Sequence, residues 1–269
     1  MNILILGGNR YFGKEVVRQL SKFKKNKIYV LNRNRKKNLF KNIKFLKCDR
    51  KNFSQLKKKI GKLKFDIIWD NIAYDLKDVK NLLKIQNNIK LYIFSSTIIV
   101  SKIIKKNNKL LSRNYHSSEL IYAENKYKIE KYLQQNYKKF LILRIHSVIG
   151  KNDFSEKTKD FLKTNENNLE KFNIKLSDKI QFIYKEDLVR IIKYLILKYN
   201  LINQNLINLS NDPIEIKDVI KIINNNKKNS KINRKKYPIP INLIENNKRL
   251  SSIIPFKLTN TKEILKKLI

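Results

Sequence analysis

The chain has 269 residues, 61 lysines and arginines against 22 acids, a formal charge of +39 and one cysteine. That length can bury a sizeable core, either as one large α/β domain or as a domain with a small appended lobe. The lone Cys48 excludes an internal disulfide framework and a cysteine-based metal site. No stretch approaches the roughly 20 apolar residues of a membrane span, and the start lacks the charged region and cleavage signature of a signal peptide. A soluble protein of the cytoplasm or another reducing compartment, without a membrane partner, is therefore expected. The charge would ordinarily indicate nucleic acid or an anionic surface. Its 51 lysines, however, are spread along the whole chain, and the abundance of Lys, Asn and Ile beside only two alanines is what an AT-rich genome encodes. The charge is read mainly as a solvated surface, with weak, salt-sensitive RNA binding as its expected by-product.

In chain order, short apolar runs alternate with amphipathic stretches, the pattern of a parallel sheet covered by helices. "NILIL" predicts a buried strand and residues 11 to 23 a helix. "KIYVL" (27 to 31) and "IKFLK" (43 to 47) are the next strands, followed by a helix through "FSQLKKKI". "FDIIWD" (65 to 70) and "KLYIFSS" (90 to 96) are strands four and five, with a helix from Asp75 to Ile85 between them. A long loop leads to a helix over Ser118 to Gln135 and to a sixth strand, "FLILRI". Right-handed crossovers give a Rossmann-type doubly wound α/β sheet of order 3-2-1-4-5-6. Residues 1–150 are expected to form a dinucleotide-binding domain and 151–269 a smaller C-terminal substrate lobe, interleaved with the first. In that second part "KIQFIYKEDLVRIIKYLI" reads as a strand entering a helix, "LINLS" as a strand, "EIKDVIKII" as a helix and Asn224 to Lys236 as a polar loop.

The chain spends three of its five glycines, Gly7, Gly8 and Gly13, in "GGNRYFG". A glycine turn between a strand and a helix lets backbone N–H groups approach a pyrophosphate at the positive helix end, and Gly13 lets helix and strand pack closely. The candidate cradle is the whole turn: Gly7, Gly8, Asn9, Arg10, Tyr11, Phe12 and Gly13. Arg10 stands where the usual fingerprint has its middle glycine, and an arginine there is a planar donor for phosphate oxygens. The second strand ends in "LNRNR", with Asn32, Arg33 and Arg35 but no carboxylate for a ribose 2′-hydroxyl. This favours NADP slightly over NAD. The third ends in "CDR", where Asp49 can accept from an adenine amino group and Arg50 can close that side.

Tyr122 and Lys126, at i and i+4, share a helix face. An ammonium beside a phenol stabilises the phenolate, so the tyrosine can exchange a proton with a hydroxyl or carbonyl while hydride moves to or from nicotinamide. The spacing is not specific by itself, because Tyr127/Lys131 and Tyr194/Lys198 repeat it. Tyr194 lies in the less regular second half, and Tyr127 points about 140° away from Tyr122 around the helix. His116 and His146 are the only histidines and have no ligand spacing with a carboxylate, so no metal is expected.

"ILGGNRYFG", "LNRNR", "FSSTIIV", "YAENK" and "LILRIHSVIG" occur in the order and rough spacing of the extended and atypical short-chain dehydrogenase/reductases. The chain resembles their nucleotide-sugar epimerase/dehydratase branch over nearly its whole length. The Arg10 turn and "CDR" are most similar to an atypical subgroup of NAD-dependent epimerases that includes chloroplast stem-loop-binding proteins. The resemblance implies an NAD(P)-dependent epimerase, dehydratase or reductase acting on a nucleotide-linked sugar or similar hydroxy/keto substrate. It implies Thr97 as the substrate-orienting hydroxyl, and the 25-residue gap from Thr97 selects Tyr122 over Tyr127 as the acid/base, with Lys126 as its partner and ribose ligand. It also matches Asn71, Ala73 and Tyr74 to the segment that runs along the cofactor. The chain departs from the family in lacking prolines around Gly150 and in carrying Ser101-Lys102 where Tyr-Gly is usual, positions that shape the substrate pocket. A second reading keeps the fold without the oxidoreductase activity, as an RNA-binding protein or a cofactor-sensing subunit. The oligomeric state is not fixed by the sequence, and a homodimer is open.

Overall fold

The computed structural model describes residues 1–33, 42–105, 114–224, 232 and 234–269. By its internal contacts the chain divides into two compact units: Met1–Thr97 with Tyr122–Arg144 and Val189–Ile207, and Ile98–Ile121 with Ile145–Leu188 and Asn208–Ile269.

The first unit begins with β1 (Asn2–Leu6), α1 (Tyr11–Ser21), β2 (Lys27–Asn32), β3 (Ile43–Lys47), α2 (Phe53–Ile60), β4 (Ile67–Asp70), α3 (Leu76–Ile85) and β5 (Leu91–Thr97). After α4 (Ile99–Ile104) come α5 (Ser117–Asn136) and β6 (Phe140–Ile145). Together with β10 (Leu206–Leu209) the strands form a seven-stranded sheet of order β3-β2-β1-β4-β5-β6-β10. The expected doubly wound order holds, and β10 adds a seventh strand beside β6. The pairings β1–β2, β1–β4, β2–β3 and β4–β5 are parallel. Ile3 to Leu6 and Ile67 to Trp69 have no exposed surface, which is why these strands read as unbroken apolar runs. In α1 the buried Gly13, Val16, Val17 and Leu20 recur at one helical face. The Asn52 side chain accepts from Gln55 N at 2.9 Å to start α2, and Asp75 accepts from Lys77 N at 2.8 Å to start α3.

In the second unit β7 (Val148–Ile149) pairs with β9 (Ile183–Tyr184), and β8 (Lys179–Ile180) with β11 (Ile214–Glu215). Its helices are α4, α6 (Lys157–Phe161), α7 (Glu166–Lys171), α9 (Ile216–Asn224), α10 (Lys248–Ile253) and α11 (Thr261–Leu268); α8 (Lys185–Leu197) leads back into the first unit. Phe161, Phe182, Ile216, Ile239 and Ile264 belong to its buried core. Five of these helices, α4, α6, α7, α10 and α11, depart from the sequence reading. Residues 99–104 continue the apolar run of β5 without a break, so no periodicity separates strand from helix there, while α6, α7 and α10 are too short to show one. Of the loop expected over Asn224 to Lys236, residues 225–231 and 233 lie outside the described residues.

The glycine turn is sterically closed to side chains. A Cβ on Gly13 would collide with the Gly7 carbonyl oxygen, one on Gly8 would come within 2.7 Å of Val17 Cγ2, and Gly7 itself has φ +93°. Gly13→Ala is therefore expected to lower unfolding free energy by about 1–3 kcal/mol in urea titration; an unchanged transition midpoint would contradict this packing.

Candidate active site at the strand ends of the first unit

The parallel register sets Leu6 beside both Leu31 and Asp70, and Asp70 beside Phe94. Gly7, Asn32, Asn71 and Ser95 consequently stand one step further on, at the common carboxyl edge where open α/β sheets bind ligands. Asn71 N donates to Leu6 O at 3.0 Å, and a Cβ on Gly7 would meet Ile72 and Asn71. The residues after β4 thus form one wall of the glycine turn. Ala73 behind them is fully buried.

Arg10 precedes α1 with extended backbone and an exposed side chain; Tyr11 follows at φ 44°, a left-handed conformation uncommon outside glycine. The Phe12 ring packs between Tyr11 (centroids 5.9 Å) and Trp69 of β4 (6.4 Å). Asn9 Nδ2 donates to Asn32 Oδ1, tying the turn to the end of β2, while Asn32 Nδ2 is buried without a hydrogen-bond partner among the described residues. A glycine cradle that excludes Cβ atoms, a helix start facing it and an unspent amide donor beside it fit a dinucleotide phosphate and ribose. Arg33 is exposed next to that edge; Arg35 lies outside the described residues. Asp49 is half-buried, and its Oδ1 accepts from Lys51 N at 3.0 Å.

Arg50 corrects the sequence reading. Rather than closing the adenine side, it is only 6% exposed and grips Asp70 through two bonds, Nη1–Oδ1 at 2.6 Å and Nη2–Oδ2 at 2.8 Å. Tyr92 donates to Asp70 Oδ2 at 2.8 Å and Asp78 lies 3.6 Å from Arg50 Nε. Burial alone would raise the Asp70 carboxyl, but Arg50 and the Tyr92 hydroxyl outweigh it and hold Asp70 below the ordinary range. Arg50 and Asp70 were legible as charged strand-end residues; their pairing across 20 positions was not.

Lys126 is 1% exposed and donates to Ser95 O at 2.8 Å. Its ammonium stands over three rings, Phe94 at 4.8 Å, Tyr74 at 5.2 Å and Tyr122 at 5.3 Å. Tyr74 and Tyr122 meet at 5.8 Å between centroids. Burial is the main influence on Lys126 and pulls it down to about 7, with Arg50 adding to that and Asp70 and Glu130 opposing it. Burial raises Tyr122 well above the ordinary phenol range, with Tyr74 adding to it. The resting pair is thus a protonated phenol beside an amine that changes charge near neutrality. Thr97 ends β5, two residues after the carbonyl that holds Lys126. The geometry brings Tyr122, Lys126, Tyr74 and β5 together in one unit. Tyr127, one of the other spaced tyrosines, has Lys131 over its ring at 5.8 Å among the described residues.

No protein-family model and no curated protein matches this sequence. Solved structures do match it. A candidate NAD-dependent epimerase/dehydratase of Methylobacillus flagellatus aligns with 99% of this chain and 96% of its own at 14% identity, TM-score 0.70. UDP-glucuronic acid 4-epimerase of Bacillus cereus, solved with UDP-glucuronic acid and NAD, aligns over 99% and 97% at 14% identity, TM-score 0.66. UDP-N-acetylglucosamine 4-epimerase of the same organism aligns over 100% and 98% at 17% identity, TM-score 0.65. This chain shares their fold.

One polar group that the sequence reading passed over supports this edge. Glu130, one turn after Lys126 on α5, is buried; it accepts from Ser96 Oγ at 2.5 Å and from Arg144 Nη2 at 2.6 Å. The i+4 spacing from Lys126 was the available signal. In the second unit, Ser101 Oγ donates to Glu245 Oε1 at 2.8 Å and Lys102 Nζ lies 2.7 Å from the same oxygen, so both residues are turned inward. His146 is also internal. Its Nδ1 accepts from Ser147 N at 2.8 Å and its Nε2 lies 3.0 Å from Leu243 O, which only a neutral ring can satisfy by donating there. Burial pulls it down to about 4.

Two pH effects follow from these groups. The unfolded chain binds more protons at Lys126 than the folded one between pH 7 and 10.5, so this residue's cost to stability is fully present below 7 and fades toward 10.5. Lys126→Met is expected to exceed the parent in stability by roughly 1–4 kcal/mol at pH 7, with the gap narrowing by pH 10 in urea titrations; a constant gap would contradict the burial. For His146 the unfolded chain binds more protons between 6.5 and 4, so stability falls as pH drops through that window, by about 3 kcal/mol from this group. His146→Gln keeps one acceptor and one donor without a titrating proton and should lose that part of the acid sensitivity; an identical pH–stability curve would refute the assignment.

Proposed function

We propose that this chain is an NAD(P)-dependent epimerase, dehydratase or reductase that acts at a hydroxyl or keto carbon of a nucleotide-linked sugar. The observation that carries the reading is the buried Lys126 ammonium against the Tyr122 ring, on the same sheet edge as the glycine turn. When bound, the dinucleotide supplies a hydride acceptor or donor. The N–H groups around Gly7, Gly8 and Gly13 hold its pyrophosphate. Asn32 and Arg33 would hold its adenosine ribose, and the absence of a carboxylate in "LNRNR" supports NADP. Asn71 and Tyr74 would line its course, with Ala73 buried behind them.

Tyr122 then gives or takes a proton at its phenolic oxygen. As found, the phenol is held protonated by burial, which suits delivery to a carbonyl oxygen; withdrawal of a proton from a hydroxyl requires a charged Lys126 beside it to stabilise the phenolate. Thr97 orients the reacting oxygen. Substrate selection is assigned to the second unit. The solved relatives named above, one of them bound to a UDP-sugar and NAD, support the same class for this chain.

The reading makes two measurable demands. NADPH and NADH fluorescence should report saturable binding to the parent chain and none to Gly13→Glu; no binding to the parent would sink the proposal. Turnover of a sugar nucleotide should fall by about 10²–10⁴ in Tyr122→Phe with cofactor affinity unchanged, whereas retained turnover would move the acid/base elsewhere.

A further inference from the structure

We propose that Tyr74 is a positioning residue whose ring face keeps the Lys126 ammonium charged beside Tyr122. This rests on the reading of Tyr122 and Lys126 as the proton-transfer pair. A buried ammonium is ordinarily matched by a carboxylate, and here the two carboxylates that influence it are engaged elsewhere. Asp70, from β4, is held by Arg50 and Tyr92, and Glu130, from α5 itself, by Ser96 and Arg144. Arg50, from the turn after β3, opposes the charge on Lys126. Among the described residues the ammonium has one hydrogen bond, to Ser95 O, and no ion pair. What remains is the negative faces of three aromatic rings within 5.3 Å, a cage for a cation.

The three rings are not equivalent. Phe94 is fully buried in the sheet and Tyr122 is the reacting group itself. Tyr74 is 54% exposed, so it is the ring that can be changed at little cost to the core. It lies just past Asn71 and Ile72, which wall the glycine turn, so it couples the cofactor edge to the charge on Lys126. Its role is electrostatic and belongs to the ring face, not to the hydroxyl.

The test is a pH titration of the full chain labelled with ¹³Cε-lysine, followed by NMR. The Lys126 resonance is recognised by its loss in Lys126→Met and by a midpoint far below that of the surface lysines. Tyr74→Phe keeps the ring and should leave the midpoint where it is in the parent. Tyr74→Leu, and Tyr74→Met as a second apolar replacement, should lower it by about half a pH unit or more, since removal of a ring face disfavours the cation. An unchanged or raised midpoint in both apolar variants would overturn the proposal, as would an equal shift in Tyr74→Phe. This readout needs no substrate, so it stands apart from the proposed activity. If turnover is found, the basic limb of its kcat profile should move with the NMR midpoint; a limb that stays fixed while the midpoint moves would remove Lys126 charge from the chemistry.

Discussion

Everything at the candidate site depends on the bond from the Lys126 ammonium to the Ser95 carbonyl. It holds a cation inside a sheet edge made of apolar strands, at the height where β1 and β4 end and β5 runs on to Thr97. Because the strands are parallel and in register, one hydrogen bond from α5 to β5 fixes Lys126 and Tyr122 relative to the glycine turn two strands away. The same burial that makes the amine costly makes it chemically useful, since a group that titrates near neutrality can change the acidity of its neighbour.

The surrounding charges are arranged to keep that cation from being neutralised outright. Arg50 takes up Asp70, and Arg144 takes up Glu130, in each case through more than one hydrogen bond. Removal of either arginine would leave a buried carboxylate unpaired, a more severe change than the loss of a surface pair. A chain with formal charge +39 thus reserves two of its ten arginines for internal carboxylates and leaves most of its lysines to solvent.

Much of this was legible in the sequence, for identifiable reasons. The strands of a sheet covered on both faces are continuous apolar runs, so "NILIL" and "FLILRI" coincide with β1 and β6 to the residue. Glycines are scarce enough here that a cluster of three has to have a steric cause, and the closed turn supplies it. Helical geometry put Tyr122 and Lys126 on one face, but it did the same for Tyr127/Lys131 and Tyr194/Lys198, and only the resemblance, through the gap from Thr97, chose between them. What could not be read were contacts between distant positions: Arg50 with Asp70, Tyr74 with Lys126, Ser101 and Lys102 with Glu245. Nothing local distinguishes a buried arginine from a solvated one. In α11 the failure was different, since Asn260 caps it and Glu263 follows at the capping-box position, a signal that was present but unused.

The central claim is that the glycine turn and Tyr122 serve one dinucleotide within the first unit. A crystal structure of the chain soaked with NADP or NAD tests it most directly. The account predicts the pyrophosphate on the backbone N–H groups at the start of α1 and the nicotinamide C4 within ~4 Å of where a substrate carbon would meet the Tyr122 oxygen. A dinucleotide bound with its nicotinamide turned away from Tyr122 and Lys126, or bound clear of the glycine turn, would contradict it.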